Sequence, residues 1–513
     1  MDRGPYSPLS RRASRAVTGL ASVLWAACLC LTAADSDGRS PFASVRDFGA
    51  RGDGVADDTA AIQAALDSGR RILFPRGTYQ VQMNRLTLAD GAYLVGEGRQ
   101  SRIRSAEVSE AQVALFKAVG RSDITIESLC FETPKSTQAA LLFASCSAVT
   151  VSRCRAVNCQ LVYVGSAAVA ALHDISSVNA FFDLYDQVTS PAHFSNTIAI
   201  EGNECVGDNV RGRGGISLSA IFISYANNVR VANNDLTGYL HGITWWGGNA
   251  NTKGPAPNGA MANPRKCKGL AITGNTIHDI EMGGIWGSMG EGVAVTGNTV
   301  LNCGDVGIDF EGCFSCTATG NIVEDCFAAC LCTVFDNRGI VFSGNSCTQH
   351  TAGWWIAAVR NQHDSTANQD VSFVGNHFTA ATGMSAVVSE GVQHLFFQGN
   401  SLRNVVLQFR DPAAKHRMQT VCGNGIFFDV AAATPFAAVR IGPVSPGGHV
   451  LFQGNSLATQ VSQPEGSSGL EVLAATPATE RYLLSGNLIS GWGGRDLLAD
   501  PVTLLLPPPP AGK

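Results

Sequence analysis

A chain of 513 residues could form several domains, yet only 15% of its residues are charged, 56 are glycine, and the formal net charge is −5 at pH 7. This balance provides no basic surface for nucleic acid. Residues 1–34 read as an export signal: Arg11, Arg12 and Arg15 precede an apolar run from Ala16 to Ala33, and Thr32, Ala33 and Ala34 offer a cleavage site. The run is short and interrupted by Thr18, Gly19 and Ser22, so no stable membrane span is expected and the mature protein is expected to be secreted or periplasmic. The paired arginines also suit twin-arginine export, and Cys28 after Ala26-Ala27 leaves lipid anchoring open.

The next segment, residues 41–84, contains a short helix. Asp57 or Asp58 can cap it, and Ile62, Ala65 and Leu66 fall on one face. Such a helix would cover the open edge of the sheet structure that follows.

From there an apolar residue, any residue, then Gly-Asn recurs. It ends at Asn203, Asn275, Asn298, Asn321, Asn345, Asn376, Asn400, Asn424, Asn455 and Asn487. Between Asn275 and Asn424 the intervals are 23, 23, 24, 31, 24 and 24 residues, the mark of a solenoid with one unit per repeat. The apolar residues before each turn alternate with period 2, so the units are strands, and the predicted fold is all-β: one parallel β-helix over residues 85–495 with roughly 12–15 coils. Asn is expected to take the left-handed turn conformation, and stacked Asn side chains are expected to form a ladder. The same register extends upstream through Leu129, Cys154 and Val178, and RVANN repeats the turn at Asn234.

The chain has 16 cysteines, two of them in the signal. Cys159, Cys303 and Cys326 share one repeat register and Cys205 and Cys347 another, which points to inward stacks rather than a disulfide framework. Cys313-x-x-Cys316 has no second half at metal-ligand spacing, so no metal site is expected there. The final LLLPPPPAGK cannot join a sheet, and residues 496–513 are expected to be a disordered tail.

The segment carrying Asp47-Phe48-Gly49-Ala50, Gly52-Asp53-Gly54, Asp57-Asp58-Thr59, Ile62, Phe74-Pro75 and Gly77-Thr78-Tyr79 resembles the N-terminal part of the pectate lyase-like superfamily, with its rhamnogalacturonases, polygalacturonases and epimerases. The resemblance implies a right-handed helix and a carbohydrate ligand. It carries over no catalytic residue, because the polygalacturonase signatures are absent. Gly307-Ile308-Asp309-Phe310-Glu311, the nearest passage to an epimerase Tyr-Gly-x-Asp-Pro-His motif, lacks its Tyr, Pro and His.

Counting from the turns aligns Gly242–Trp246, Gly284–Ser288, Gly307–Glu311, Cys330–Val334 and Gly353–Ala357 as successive rows of one face. With Ile243, Ile285, Ile308 and Leu331 inward, Asp309 and Glu311 point outward from one strand, their Cα atoms about 6.5–7 Å apart. Two carboxylates so placed suit glycosidic cleavage by acid/base catalysis, and their repulsion raises one proton affinity. As surface groups, they are expected to contribute little to thermal stability. Trp246 and Trp286 are expected to be exposed beside them as stacking surfaces for sugar rings, with Trp355, His241, Arg338 and Arg360 as further substrate contacts. The insertion at 247–269 would wall the groove, and His278, Asp336, His363 and Asp364 flank it.

The leading reading is an exported glycoside hydrolase acting on a polysaccharide, pectin-like or another acidic glycan, without a cofactor. An alternative is a lyase or C5-epimerase on uronic-acid polymers, with Ca²⁺ and an Arg base drawn from Arg338, Arg360 and Arg410. A third is a non-catalytic glycan-binding solenoid. Monomer and homo-oligomer remain open.

Overall fold

In the computed structural model, the described residues are 42–105, 114–134, 139–166, 191–208, 219–248, 250, 266–360, 368–410, 416–444, 447–473, 481–493 and 497–499. The export signal, Val178, most of the 247–269 insertion, His363, Asp364 and residues 500–513 lie outside them. All paired strands run parallel, in sheets of 18, 16 and 15 strands. Each coil contributes in turn to the first sheet, which precedes the Gly-Asn turn, to the second, which follows it, and to the third, which carries Asp309 and Glu311. In the first sheet Ala271–Thr273 pairs with Ala294–Thr296, and that strand with Phe314–Thr319, each one coil on. Among the described residues no helix is long and apolar enough to cross a membrane.

The helix forms as expected over Thr59–Asp67 and buries Ile62, Ala65 and Leu66. Its caps divide the work of the two aspartates. Asp57 Oδ1 accepts from Thr59 N at 3.0 Å, whereas Asp58 reaches back to accept from Arg51 N and Gly52 N at 2.7 and 3.0 Å. Flanking strands Phe42–Ser44 and Arg71–Phe74 pair in the first sheet, and Asp53–Asp57 and Gly77–Gln80 in the second. The coil therefore begins well before residue 85, and the helix covers the open edge of the third sheet as expected: Gln63 accepts from Thr87 N at 2.9 Å and donates to Thr87 O at 3.3 Å on that sheet's edge strand. At the other end Leu497–Ala499 still pairs with Leu470–Val472, beyond the expected limit of 495.

The turn works differently from the expectation. Glycine takes the left-handed conformation (φ +66 at Gly274, +63 at Gly297, +64 at Gly320), with Ser128, Arg153 and Asn233 taking it at turns that lack glycine before Leu129, Cys154 and Asn234. The following asparagine is thereby free to point inward. From Asn203 to Asn487 these side chains form a continuous buried ladder. Asn298 Oδ1 accepts from Asn275 N and Nδ2, both at 2.9 Å, and Asn298 Nδ2 donates to Ile272 O and to Asn321 Oδ1 at 2.9 and 3.0 Å. A buried turn between the first and second sheets would otherwise strand these backbone groups.

Upstream, Ser147–Ser152 pairs directly with Ser195–Glu201, and Cys154 N donates to Asn203 Oδ1 at 2.8 Å. No coil separates these two strands in the first sheet, and Val178 lies outside the described residues. The core is stacked side chains: Phe310, Phe342, Phe373 and Phe397 succeed one another at centroid distances of 5.9, 4.8 and 5.8 Å. Trp245 lies inward across Gly287, where an added Cβ would sit 2.0 Å from the indole. The fourteen described cysteines are free thiols, and all but Cys422 are buried. Cys205 and Cys347 occupy inward positions of the second sheet, paired with Ala156 and Val323.

Candidate active site on the third sheet

The third sheet sets two ranks of outward side chains. Thr244, Trp286, Asp309, Cys332 and Ala358 form the first, and Trp246, Ser288, Glu311, Val334 and Arg360 the second. The expected rows hold for four coils. The fifth is displaced by three residues: Leu331 pairs with Ala357, not Trp354. The displacement brings Arg360 into the rank of Glu311, two coils away and so about 9–10 Å along the axis. Trp355 falls at the start of that strand instead.

The expected exposure of Trp246 is overturned, since it is 2% exposed. Its neighbours on the preceding coils explain why. Leu142, Tyr163, Phe222, Tyr225 and Phe194 pack with it into an apolar cluster on the outside of the coil, and Trp286 adjoins it at 6.0 Å. Aromatic side chains in line on one sheet face gain more from one another and from chain packed over them than from water. Ser288 is likewise covered, accepting from Ala250 N at 3.0 Å as the chain passes over it. The half-buried residues Trp286, Asp305, Glu311, Arg360 and Trp355 mark where the face opens.

At this opening the carboxyl groups cluster. Asp309 is 3% exposed and its Oδ1 has no hydrogen-bond partner. Burial pushes its proton affinity well above the carboxylate range, reinforced by Glu311 and Asp305, while the Cys332 thiol opposes. Glu311 is raised to about 7, chiefly by burial; the Trp286 indole lowers it and Asp305 raises it. Asp305, at the corner before the strand, is itself raised by burial and lowered by Arg360. Near neutral pH the pair therefore holds a proton where ordinary carboxyls have none, and it titrates as a unit.

Of the remaining expected contacts, His241 is buried and stacks on Trp286 at 5.0 Å, its Nδ1 accepting from Gly283 N at 3.2 Å. Burial lowers its pKa to about 4, so it is a neutral platform behind the indole rather than a base in open solvent. The Arg360 guanidinium lies over Trp355 at 5.6 Å and 3.9 Å from Glu390. Arg338 begins a first-sheet strand and pairs with Asp336 at 3.6 Å, one corner away from Glu311. His278 is in the second sheet, between Asp235 and Asp279. Asp305 escaped the reading from sequence because it belongs to a corner rather than a strand. Its one signal was Gly304-Asp305, preceding the aligned row by two residues. Among the described residues no group of three or more His, Cys, Asp or Glu side chains is placed to hold a metal ion.

A family model described as rhamnogalacturonase A/epimerase, pectate lyase-like, matches residues 42–118, and one described as right-handed β-helix region matches residues 259–378. Mannuronan C5-epimerase AlgE5 of Azotobacter vinelandii is 46% identical over 66 residues, covering 11% of this chain and 7% of that protein. The chain thus spans only a small part of the curated relative it matches. Among solved structures, pre-mature bacteriophage phi29 gene product 12 superposes with a TM-score of 0.53 at 15% identity, over 86% of this chain and 66% of that one. The A-module of the A. vinelandii mannuronan C5-epimerase AlgE6 gives 0.45 at 14% identity, over 87% and 99%. The superposition on the phage protein supports the coil architecture alone.

Proposed function

Starting from a right-handed parallel β-helix with a pectate lyase-like N-terminal segment, we infer that this protein is a carbohydrate-active enzyme hydrolysing glycosidic bonds of a polysaccharide. The observation that carries the reading is the carboxyl pair on one strand: Asp309 buried with an unpartnered oxygen, and Glu311 held as an acid to about 7 at the mouth of the site. A carboxylic acid that keeps its proton near neutrality can donate it to a leaving oxygen, which is the first requirement of glycosidic cleavage.

Below about pH 7, Glu311 is the protonated group within reach of the substrate and gives its proton to the glycosidic oxygen as the bond to the anomeric carbon breaks. The carboxylate so formed, beside Asp309, stabilises the cationic sugar and takes a proton from the attacking water, whose hydroxyl joins the anomeric carbon and restores the acid. Trp286, half-exposed and backed by His241, offers a ring face for the sugar beside the broken bond. Arg360 offers a cation in the rank of Glu311 for an acidic substituent. Because three acids surround the site, an acidic sugar would enter with its carboxylate toward Arg360.

The test is a panel of polysaccharides with the wild type, Asp309→Asn and Glu311→Gln. New reducing ends without the ultraviolet absorbance of unsaturated uronates, lost in both variants, is the expected result. The match of residues 42–118 to a rhamnogalacturonase A/epimerase family and the similarity to AlgE5 favour uronate epimerisation or elimination as the second reading. Unsaturated ends, or inversion at C5 without new ends, would replace the first reading by it. Binding with no chemistry would leave a glycan-binding solenoid.

A further inference from the structure

The corner between the second and third sheets carries an apolar ridge that the carboxyl site does not use. Phe327 is 56% exposed and Met282 40%. The register is fixed by backbone bonds. Gly304 N donates to Ile280 O and Phe327 N to Cys303 O, so Phe327 stands where the two preceding coils place Glu281 and Gly304. A position that is charged or side-chain-free in neighbouring coils does not call for an aromatic ring on packing grounds. One coil further, the half-buried Trp354 meets Phe327 edge to face, with centroids 5.3 Å apart and planes at 77°. The two rings thus stand nearly perpendicular to each other.

The ridge is continuous with the candidate active site. Asp305 N donates to Met282 O at 3.2 Å, and Ala328 N donates to Asp305 O at 2.8 Å. Asp305 thus sits on the same corner, one coil before Phe327, and its charge reaches both Asp309 and Glu311. On the other side Trp354 is followed by Trp355, over which Arg360 lies.

We propose that Phe327 and Trp354 form an aromatic subsite for a pyranose ring of the polysaccharide, one or more sugars away from the bond at Asp309 and Glu311, with the chain crossing the corner past Asp305. The proposal rests on the polysaccharide reading above. It replaces the buried Trp246 by a pair one to two coils beyond the carboxyls as the exposed stacking surface. A ring with one face of C–H groups covers the exposed Phe327 face, removing apolar surface from water without requiring a buried charge. Long substrates gain from the subsite, and short ones that cannot reach it do not.

The test uses the full chain in native gels containing galactomannan, polygalacturonate or alginate, together with turnover on long and short oligomers of whichever glycan retards it. Phe327→Ala and Trp354→Ala should each weaken retardation about tenfold, as expected for loss of one stacked ring. They should raise KM for long oligomers while leaving kcat/KM for the shortest unchanged. Glu311→Gln should lose turnover and keep wild-type retardation. Leu488→Ala, which removes an apolar side chain 65% exposed in the last coil, should change nothing. Phe327→Ala is the variant least prone to misfold, and unchanged circular dichroism and melting will accompany the comparison. Wild-type retardation in both aromatic variants, with turnover still abolished by Glu311→Gln, would overturn the subsite and leave the hydrolase reading intact. Weakened binding in the aromatic variants with no turnover in any protein would keep the subsite and overturn hydrolysis. A wild type retarded by none of the three gels overturns both.

Discussion

Replacing Asn298 by alanine should be among the most damaging single changes available in this coil. The side chain accepts from Asn275 N and Nδ2 and donates to Ile272 O and Asn321 Oδ1, four bonds of 2.9–3.0 Å in a buried turn. Each is worth about 1 kcal/mol net, and the stranded partners cannot turn to water, so the loss should be about 4 kcal/mol, with ~3–6 kcal/mol as the range. Asn487 provides the internal control. It ends the ladder, is half-buried, and accepts from Asn455 N and Nδ2 while donating to Phe452 O at 2.8 Å. With solvent nearby to replace the lost partners, Asn487→Ala should cost about 1 kcal/mol. A solenoid need not unfold in one step, so the assay is amide hydrogen exchange along the coil, where protection falls locally at residues 272–298, alongside urea melts. Equal costs for the two substitutions, or less than ~1 kcal/mol for Asn298→Ala, would refute the ladder as a source of stability.

The buried carboxyls change the expectation for stability. Between pH 4.5 and about 7 the folded chain holds a proton on Glu311 that the unfolded chain has released, so this group's contribution falls as pH rises through that window. The full displacement is equivalent to about 3 kcal/mol. Glu311→Gln should therefore melt higher than wild type at pH 8 and equally at pH 4; a variant that melts lower at pH 8 would contradict the burial argument. Turnover on a confirmed substrate should drop by about a thousandfold or more in Asp309→Asn and Glu311→Gln, and the wild-type pH profile should be bell-shaped with a limb near 7, both read from initial rates. Gln419 faces inward between Leu395 and Val450 with neither side-chain atom hydrogen-bonded. Gln419→Leu should stabilise by about 1–2 kcal/mol in denaturant melts, and destabilisation would indicate a partner for the amide in solution. Gly287→Ala, placing a Cβ 2.0 Å from Trp245, should cost about 1–3 kcal/mol and shift the indole fluorescence.

The repeat was legible because a coil buried against coils imposes the same demands every turn. A left-handed residue, an inward amide and period-2 apolar strands recur at the same offsets, and a pattern that recurs can be read without coordinates. From it followed the parallel sheets, the inward cysteines and the shared face of Asp309 and Glu311, whereas the helix at 59–67 was legible from its own cap and apolar face. Which residue of each Gly-Asn takes the turn was assigned to the wrong partner, because either tolerates it in isolation. Only the neighbouring coil decides, by offering Asn a ladder to join. The row at Gly353 slipped by three residues because Gly353 mimics the glycine that opens the rows at Gly242, Gly284 and Gly307, whereas backbone pairing follows Leu331 to Ala357.

Burial on the outer face was the larger gap. Strand alternation tells which side chains leave the coil, but not what then lies over them. Trp246 left the coil and was covered; Phe327, at a corner with no strand pattern, stayed in water. The same uncertainty separated Asp309 from an ordinary surface acid. Sequence placed two carboxyls on one face, and the packing of Trp286, Cys332 and Asp305 around them set their proton affinities, since desolvation depends on every atom that excludes water and not on the strand that bears the group.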